Sequence, residues 1–391
     1  MICGYLLARA GIDVIVLEKH ADFFRDFRGD TVHPSTLQAI YELGLLDEFL
    51  ALPHQEVRHL HIEIGNRRIV VGDFTHLPTQ CKFIALMPQW DLLNFFAEKA
   101  RVFPNFRLLM QTKAVGLIED GGEVRGLRAQ APDREIAIRA ALVIGADGRH
   151  STVREQAGLA AEEFGSPIDV IWFRLPLKAS DPTEPVAHLA AGRFLVMLYR
   201  GDYWQCAFVV PKDGFARIQQ EGIEAFRARL ASIAGFAADR VDTIRSFADV
   251  SLLTVTVNRL KQWAKPGLVC IGDAAHAMSP VGGVGINIAV QDAIAAANLL
   301  WRPLQRGQPR LEQLKQVQAR RELPAKLTQV AQVAIQNNIV APTLALQGEL
   351  KVPFAVKLLE WFPVLRRIPA RLVGIGIRSE HVSTELLKAR G

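Results

Sequence analysis

The chain has 391 residues, of which 50% are hydrophobic, 22% charged and 8% aromatic, and this excludes a disordered tail, a collagen-like fibre and a small disulfide scaffold. Lys and Arg number 46 against 40 Asp and Glu, a net charge of +6, and the excess sits late: Lys351, Lys357, Arg366, Arg367, Arg371, Arg378, Lys388 and Arg390 against Glu360, Glu380 and Glu385. The rest is nearly neutral, which excludes a broad nucleic-acid footprint.

Residues 1–10 are predicted to end a helix at Gly11, followed by the buried-strand pattern IDVIVLE (12–18). Residues 34–50 carry Leu37, Ile40, Tyr41, Leu45 and Leu46 at helical spacing, and strand-like segments at 57–71 and 81–87 lead to a helix over 89–101. Strands follow from 107 to 148, turning at Asp120-Gly121-Gly122 and ending in ALVIGADG. Segments 168–176, 193–200 and 203–211 read as strands around a Gly201-Asp202 hairpin, 221–236 as a helix and 248–258 as a strand. GLVCIGDAAH (267–276) is another buried strand, and an Ala-rich helix spans 285–301. The remainder is helical, with Leu311, Leu314 and Val317 on one face and Leu327, Val330 and Ala334 on another. Pro324, Pro342, Pro353, Pro363 and Pro369 punctuate it. βα units at both ends of a strand-rich insert predict an α/β fold: a doubly wound sheet interrupted by a second, mostly antiparallel sheet, with C-terminal helices. The division expected is 1–54, 88–165 and 262–305 for the nucleotide-binding domain, 55–87 and 166–261 for the substrate domain, and 306–391 for the helical region.

Cys3, Cys81, Cys206 and Cys270 form no C-x-x-C pair, so no zinc site or disulfide framework is expected and a reducing cytoplasm fits. No uncharged apolar run of about 20 residues predicts a membrane span. His276, His59 and His61 lack partners at ligand spacing, so no metal is expected.

Three blocks carry chemistry. Glu18 closes a strand, where an acid can bond ribose hydroxyls. GADGRHSTVR places Asp147, Gly148, Ser151 and Arg154 after an apolar strand. GDAAHAMSPVGGVGINIAVQDA places Asp273 at a strand tip, then Pro280, Gly282, Gly283 and Gly285 before a helix near Ile286 and Asn287. Glycines there let backbone lie flat against a planar ligand, and the helix N-terminus favours a negative charge.

In this order the three blocks resemble the class A flavin-dependent monooxygenases, the group of para-hydroxybenzoate hydroxylase, through about residue 300. RGDTVHPSTL (28–37) is similar to the family segment whose arginine, here Arg28, reaches the FAD pyrophosphate. MPQWDLLNFFAE (87–98) resembles the segment whose glutamine, here Gln89, contacts the flavin side chain. The resemblance further implies that Glu18 holds the adenosine ribose and Asp273 the ribityl or pyrophosphate region. It places Gly285, Ile286 and Asn287 at the isoalloxazine edge, Pro280 near the reacting face, and Asp147 in a block associated with FAD and NAD(P)H. The implied reaction is NAD(P)H reduction of FAD, then transfer of one oxygen atom from O2 to a phenol-like aromatic substrate through a flavin C4a-hydroperoxide. No residue is assigned as the base, and Tyr199 and Tyr203 read as packing.

One departure stands out. The family opens with a strand and G-x-G-x-x-G, while MICGYLLARAGIDVIVLE matches the part just after the last glycine. The difference is roughly 12–18 residues by the usual strand-to-acid spacing, and the expectation is a natural start upstream of Met1. Two other readings stay open. Phe354, Leu358, Leu359, Trp361 and Phe362 among cations suit either a helical cap or a flavin monooxygenase working on a lipidic or quinone-like substrate at a membrane surface. A degenerate flavoprotein that binds an aromatic ligand without turnover is the non-enzymatic reading. A flavin halogenase is disfavoured because W-x-W-x-I-P is absent and Trp204 stands alone.

Overall fold

The computed structural model describes residues 1–24, 31–65 and 67–389. Helix Ile2–Arg9 gives way at Gly11 (φ 79°) to strand Val14–Leu17, which pairs in parallel with Phe106–Leu109. The helix lies so close on its strand that a Cβ at Gly4 would stand 2.8 Å from Val16 Cγ2. A second parallel pair joins Val143–Gly145 to Leu268–Cys270, with Ala264–Lys265 antiparallel beside it. The parallel sheet is therefore in two pieces, and one core serves both, with Leu6 and Phe106 in the same cluster as Val269, Ile271, Ile294 and Leu300.

The strand-rich insert is a seven-stranded sheet in the order Ser251–Leu253, Ile168–Pro176, Tyr203–Pro211, Arg193–Tyr199, Val186–Ala190, His59–Ile64, Arg67–Asp73. Every pairing is antiparallel except Val186–Ala190 with His59–Ile64. Strand alternation sends Phe173, Trp204 and Phe208 to one face, against Phe226 and Leu230 of helix Ile223–Ala231. The opposite face lays Val170 and Ala207 against Val255, Val257 and Val333. Tyr199 packs its ring on Trp204 at 5.7 Å, and Arg174 sits 4.5 Å above the ring of Tyr203.

Several elements differ from the sequence expectation. The helix expected over 221–236 is Ile223–Ala231, and the strand expected over 248–258 is only Ser251–Leu253, with Asn258 starting a separate strand to Leu260. The helix expected over 34–50 is two helices, Pro34–Glu42 and Leu46–Leu50, because Gly44 turns the chain at φ 72°. Helix Leu311–Ile335 runs through Pro324 instead of stopping there. A proline removes one ladder hydrogen bond, but buried anchors on both sides, Arg321 and Gln329, hold the helix on course. Its second half also faces the other way. Leu314 and Val317 are buried, whereas Leu327 and Val330 are 39% and 58% exposed, and Ala334 is exposed too. Gln329, Gln332 and Gln336 point inward in their place, because the surface beneath is loop backbone with carbonyls to satisfy.

The central element is helix Gly285–Gln305. The stretch Val281–Gln305 is long and apolar enough to cross a membrane, with a mean hydropathy of 1.3, yet 67% of that window is buried inside the protein. Within this apolar helix Asp292 is fully buried. Its carboxylate accepts from His276 Nε2 at 2.5 Å, from the Gly272 amide at 3.0 Å and from Arg321 Nε at 2.9 Å. Burial alone would push its pKa up, but the neighbouring His276 and Arg321 overrule that and hold it below the usual range. Arg321 also lies 3.5 Å from Glu380, which Arg320 grips through both carboxylate oxygens at 2.9 Å. All four cysteines are free and buried.

His33 is a second tie. It is wholly buried, with Nδ1 2.8 Å from the Val373 carbonyl and Nε2 3.1 Å from that of Gly283, to which the Thr31 hydroxyl also donates at 2.9 Å. Burial lowers its pKa to about 4, despite the two carbonyls that favour the charged ring. The unfolded chain takes up this proton near 6.5, so between the two values it binds more protons than the folded one. His33 therefore adds nothing to the pH dependence above 6.5 and removes about 3 kcal/mol as pH falls to about 4. Denaturant unfolding across that window should show the loss, and His33→Gln should flatten it; an identical slope in the variant would contradict the assignment.

Candidate functional site

The strand Leu268–Cys270 ends in a loop that runs from Gly272 to the helix starting at Gly285, with short turns at Gly272–Ala274 and Val281–Gly283 and irregular backbone between them. Such a loop needs partners for its backbone, and they come from three directions. Asp292 takes the amide of Gly272 and the ring of His276, fixing the first turn on the core helix. Gln329 Nε2 donates to the carbonyls of Asn258 and Ala277 at 2.7 and 3.0 Å. Gln332 Nε2 donates to those of Ser279 and Val281 at 2.9 and 2.8 Å, while its oxygen accepts from the Ser279 amide at 3.2 Å. Gln336 Nε2 donates to the Ser279 hydroxyl at 2.7 Å. The Thr31 hydroxyl donates to the Gly283 carbonyl from the N-terminal side, with His33 Nε2 3.1 Å from the same oxygen.

The loop is shaped by glycine where side chains cannot fit. Gly282 and Gly283 take φ of 80° and 64°, and a Cβ on Gly283 would stand 2.9 Å from Thr31 Oγ1. Pro280 opens the turn Val281–Gly283 at φ −68°. Among the described residues, Gly285 begins the helix with no other part of the chain within 4 Å of where its Cβ would stand, and no side chain caps the N-terminus. Ile286 is half-buried and Asn287 buried. The Asn287 oxygen accepts from Ser35 Oγ at 2.7 Å and Thr36 Oγ1 at 2.8 Å, while its Nδ2 is buried with no partner among the described residues.

Asp147 and Asp273 come together at the ends of the second parallel pair. Asp147 accepts from the Ser151 hydroxyl and, at 3.1 Å, from the Val153 amide, so its carboxylate shapes the start of helix Thr152–Gln156. Arg154 donates to the carbonyls of Ala274 and Arg149 at 3.3 and 2.8 Å, and Arg149 reaches Asp273 at 3.5 Å. The two blocks are thus one unit. The Asp273 side chain is 29% exposed.

Glu18 and Gln89 belong to the other half of the sheet. Glu18 ends the first strand, its amide donating to Leu109 and its carboxylate accepting from the His20 amide at 3.0 Å. Gln89 is the first residue of helix Gln89–Arg101, and the adjacent Trp90 ring packs 4.8 Å from that of Phe24. Arg28 lies outside the described residues.

These residues suit FAD on three observations. The loop offers open backbone at Gly285, the following helix presents an uncapped N-terminus, and Asn287 holds a buried amide donor in reserve. Among the described residues no group of three or more His, Cys, Asp or Glu could hold a metal ion. Sequence reasoning missed Ser35, Thr36, His33, Asp292 and the three glutamines. Gln329, Gln332 and Gln336 sit at i, i+3 and i+7, a helix face that the sequence does display. Ser35 and Thr36 give no such signal, since their partner is 251 or more residues away.

The FAD binding domain family model matches residues 1–331. The 6-methylpretetramide 4-monooxygenase of Streptomyces rimosus is 32% identical over 387 residues, covering 98% of this chain and 91% of that protein. Rifampicin monooxygenase of Streptomyces venezuelae is 26% identical over 309 residues, where the chain covers 75% of itself but spans only 59% of the relative's length. Among solved structures, p-nitrophenol 4-monooxygenase from Pseudomonas putida DLL-E4 superposes with a TM-score of 0.74 at 18% identity, over 97% of this chain and 96% of that one. The chain belongs to the FAD binding domain family and is, within it, a class A FAD-dependent monooxygenase.

Proposed function

We propose that the protein uses NAD(P)H and O2 to insert one oxygen atom into an aromatic, phenol-like substrate. The overall balance is NAD(P)H, a proton, O2 and the arene giving the hydroxylated arene, NAD(P)+ and water. The observation that carries this reading is the loop from Gly272 to Asn287, pinned from three elements while its Gly285 end stays open among the described residues. Bound FAD supplies the electron transfer and oxygen activation; the protein supplies position, dryness and charge. In this reading Glu18 and Arg28 hold the adenosine ribose and pyrophosphate, Gln89 the flavin side chain, and Asp273 the ribityl or pyrophosphate region. Asp147 keeps the Asp273 block in shape through Ser151 and helix Thr152–Gln156. Pro280 lies near the reacting face, with Gly285, Ile286 and Asn287 at the ring edge, where the helix N-terminus favours negative charge. The seven-stranded sheet, within 55–87 and 166–261, forms the substrate side, and 1–54, 88–165 and 262–305 the FAD side. The activities that name two similar proteins, on a pretetramide and a nitrophenol, support an aromatic substrate.

The protein mixed with FAD should show flavin absorption bands and oxidise NAD(P)H faster when a phenolic substrate is present. With isotopically labelled O2 the product should carry one labelled atom. No flavin bands, or NADH and NADPH oxidation with no label in any phenol tested, would contradict the proposal.

Gln332→Leu tests the loop's role. The change leaves the Ser279 and Val281 carbonyls and the Ser279 amide without their partner in a buried place, at about 1–3 kcal/mol per group. FAD titration by fluorescence should show affinity weakened about tenfold or more. Val330→Gln, on the exposed side of the same helix, should leave it unchanged. Equal affinities in all three proteins would remove Gln332 from the account.

A further inference from the structure

We propose that the surface formed by residues 354–372 docks the protein on an anionic lipid bilayer. The segment comprises helix Phe354–Trp361, the turn Pro363–Arg366 and helix Arg367–Gly374. It packs inward through small side chains. Ala370 is fully buried, and Gly374 lies so close to Leu77 and Phe74 that a Cβ there would stand 2.8 Å from Leu77 Cδ1. The large apolar groups point out instead.

Phe354, Trp361, Phe362, Val364, Ile368 and Leu372 are each more than half exposed. Their spacing sets them along one side of each helical stretch. Phe354 and Trp361 are two turns apart on one helix side, with ring centroids 6.3 Å apart. Val364, Ile368 and Leu372 follow at four-residue steps, a row on the next helical stretch. Six large apolar side chains within 19 residues exceed the scattered exposure that soluble surfaces ordinarily show.

Charge in the same segment selects the partner. Lys357, Arg366, Arg367 and Arg371 interleave with the apolar groups, and Glu360 is the segment's one acid. That acid is already neutralised by Arg67, whose Nη2 donates to both its oxygens at 3.0 and 2.9 Å. Aromatic rings that enter the headgroup boundary beside cations that meet lipid phosphates are the chemistry of an interfacial surface. A second copy of this chain fits poorly, because a two-fold interface would set four cations against the same four.

The test is sedimentation of the full chain with phosphatidylcholine vesicles, with and without phosphatidylglycerol. The wild type should pellet with the anionic vesicles alone, and added salt should release it. Each basic residue near such a surface is worth about fivefold in partition, about 1 kcal/mol. Arg367→Glu with Arg371→Glu should therefore lower binding by roughly 25-fold or more. Trp361→Ser with Phe362→Ser should abolish it, and both proteins should keep the wild-type melting temperature because the altered side chains are exposed. No pelleting with anionic vesicles would overturn the proposal, as would binding that both variants retain. So would a wild-type dimer that the Trp361 and Phe362 changes split into monomers, since a second copy would then cover the face.

Discussion

A single buried carboxylate sets the shape of the site. Asp292 sits in the middle of an Ala-rich core helix, where an unpaired charge would be untenable. Its oxygens are satisfied by a loop amide, a loop histidine and an arginine from the next helix. Those partners must therefore converge on it, which folds the Gly272–His276 turn back on the helix and draws Arg321 into the interior. Breaking a buried pair of this kind costs about 3–5 kcal/mol. His276, which in sequence invites a metal or catalytic-base reading, is spent on this tie.

The glutamine row extends the same logic to the rest of the loop. Backbone that is neither helix nor strand carries carbonyls and amides that must be paired once buried. A primary amide can donate twice and accept, and Gln332 does so within two residues of the loop. Pairing by side chains from behind leaves the front of the loop free of them, and glycine keeps it flat. The second half of the helix that provides the glutamines turns Leu327 and Val330 to solvent as a consequence.

Much of this fold was legible in the sequence. Alternation marks strands 168–176 and 203–211, and helical spacing marks 89–101, to the residues where the elements lie. The glycine-rich run after Asp273 was legible for the same reason, because few structures other than a close backbone approach use so many glycines before a helix. The outward row of Leu327, Val330 and Ala334 was not, since apolar spacing reads as a core face unless the surface beneath is polar backbone. Gly44 broke a helix that hydrophobic spacing alone would continue. The ties of Ser35, Thr36 and His33 escape sequence reading because each depends on a partner brought near only by the fold.

The central claim is that the loop from Gly272 to Asn287 takes its shape before the cofactor arrives. Amide hydrogen exchange on the protein without FAD measures this directly. The account predicts slow exchange at Gly272, which donates to Asp292, and at Ser279, which donates to Gln332, with little change on adding FAD. Fast exchange at both amides until FAD binds would contradict it, and would mean that the cofactor, not the carboxylate and the glutamines, builds the site.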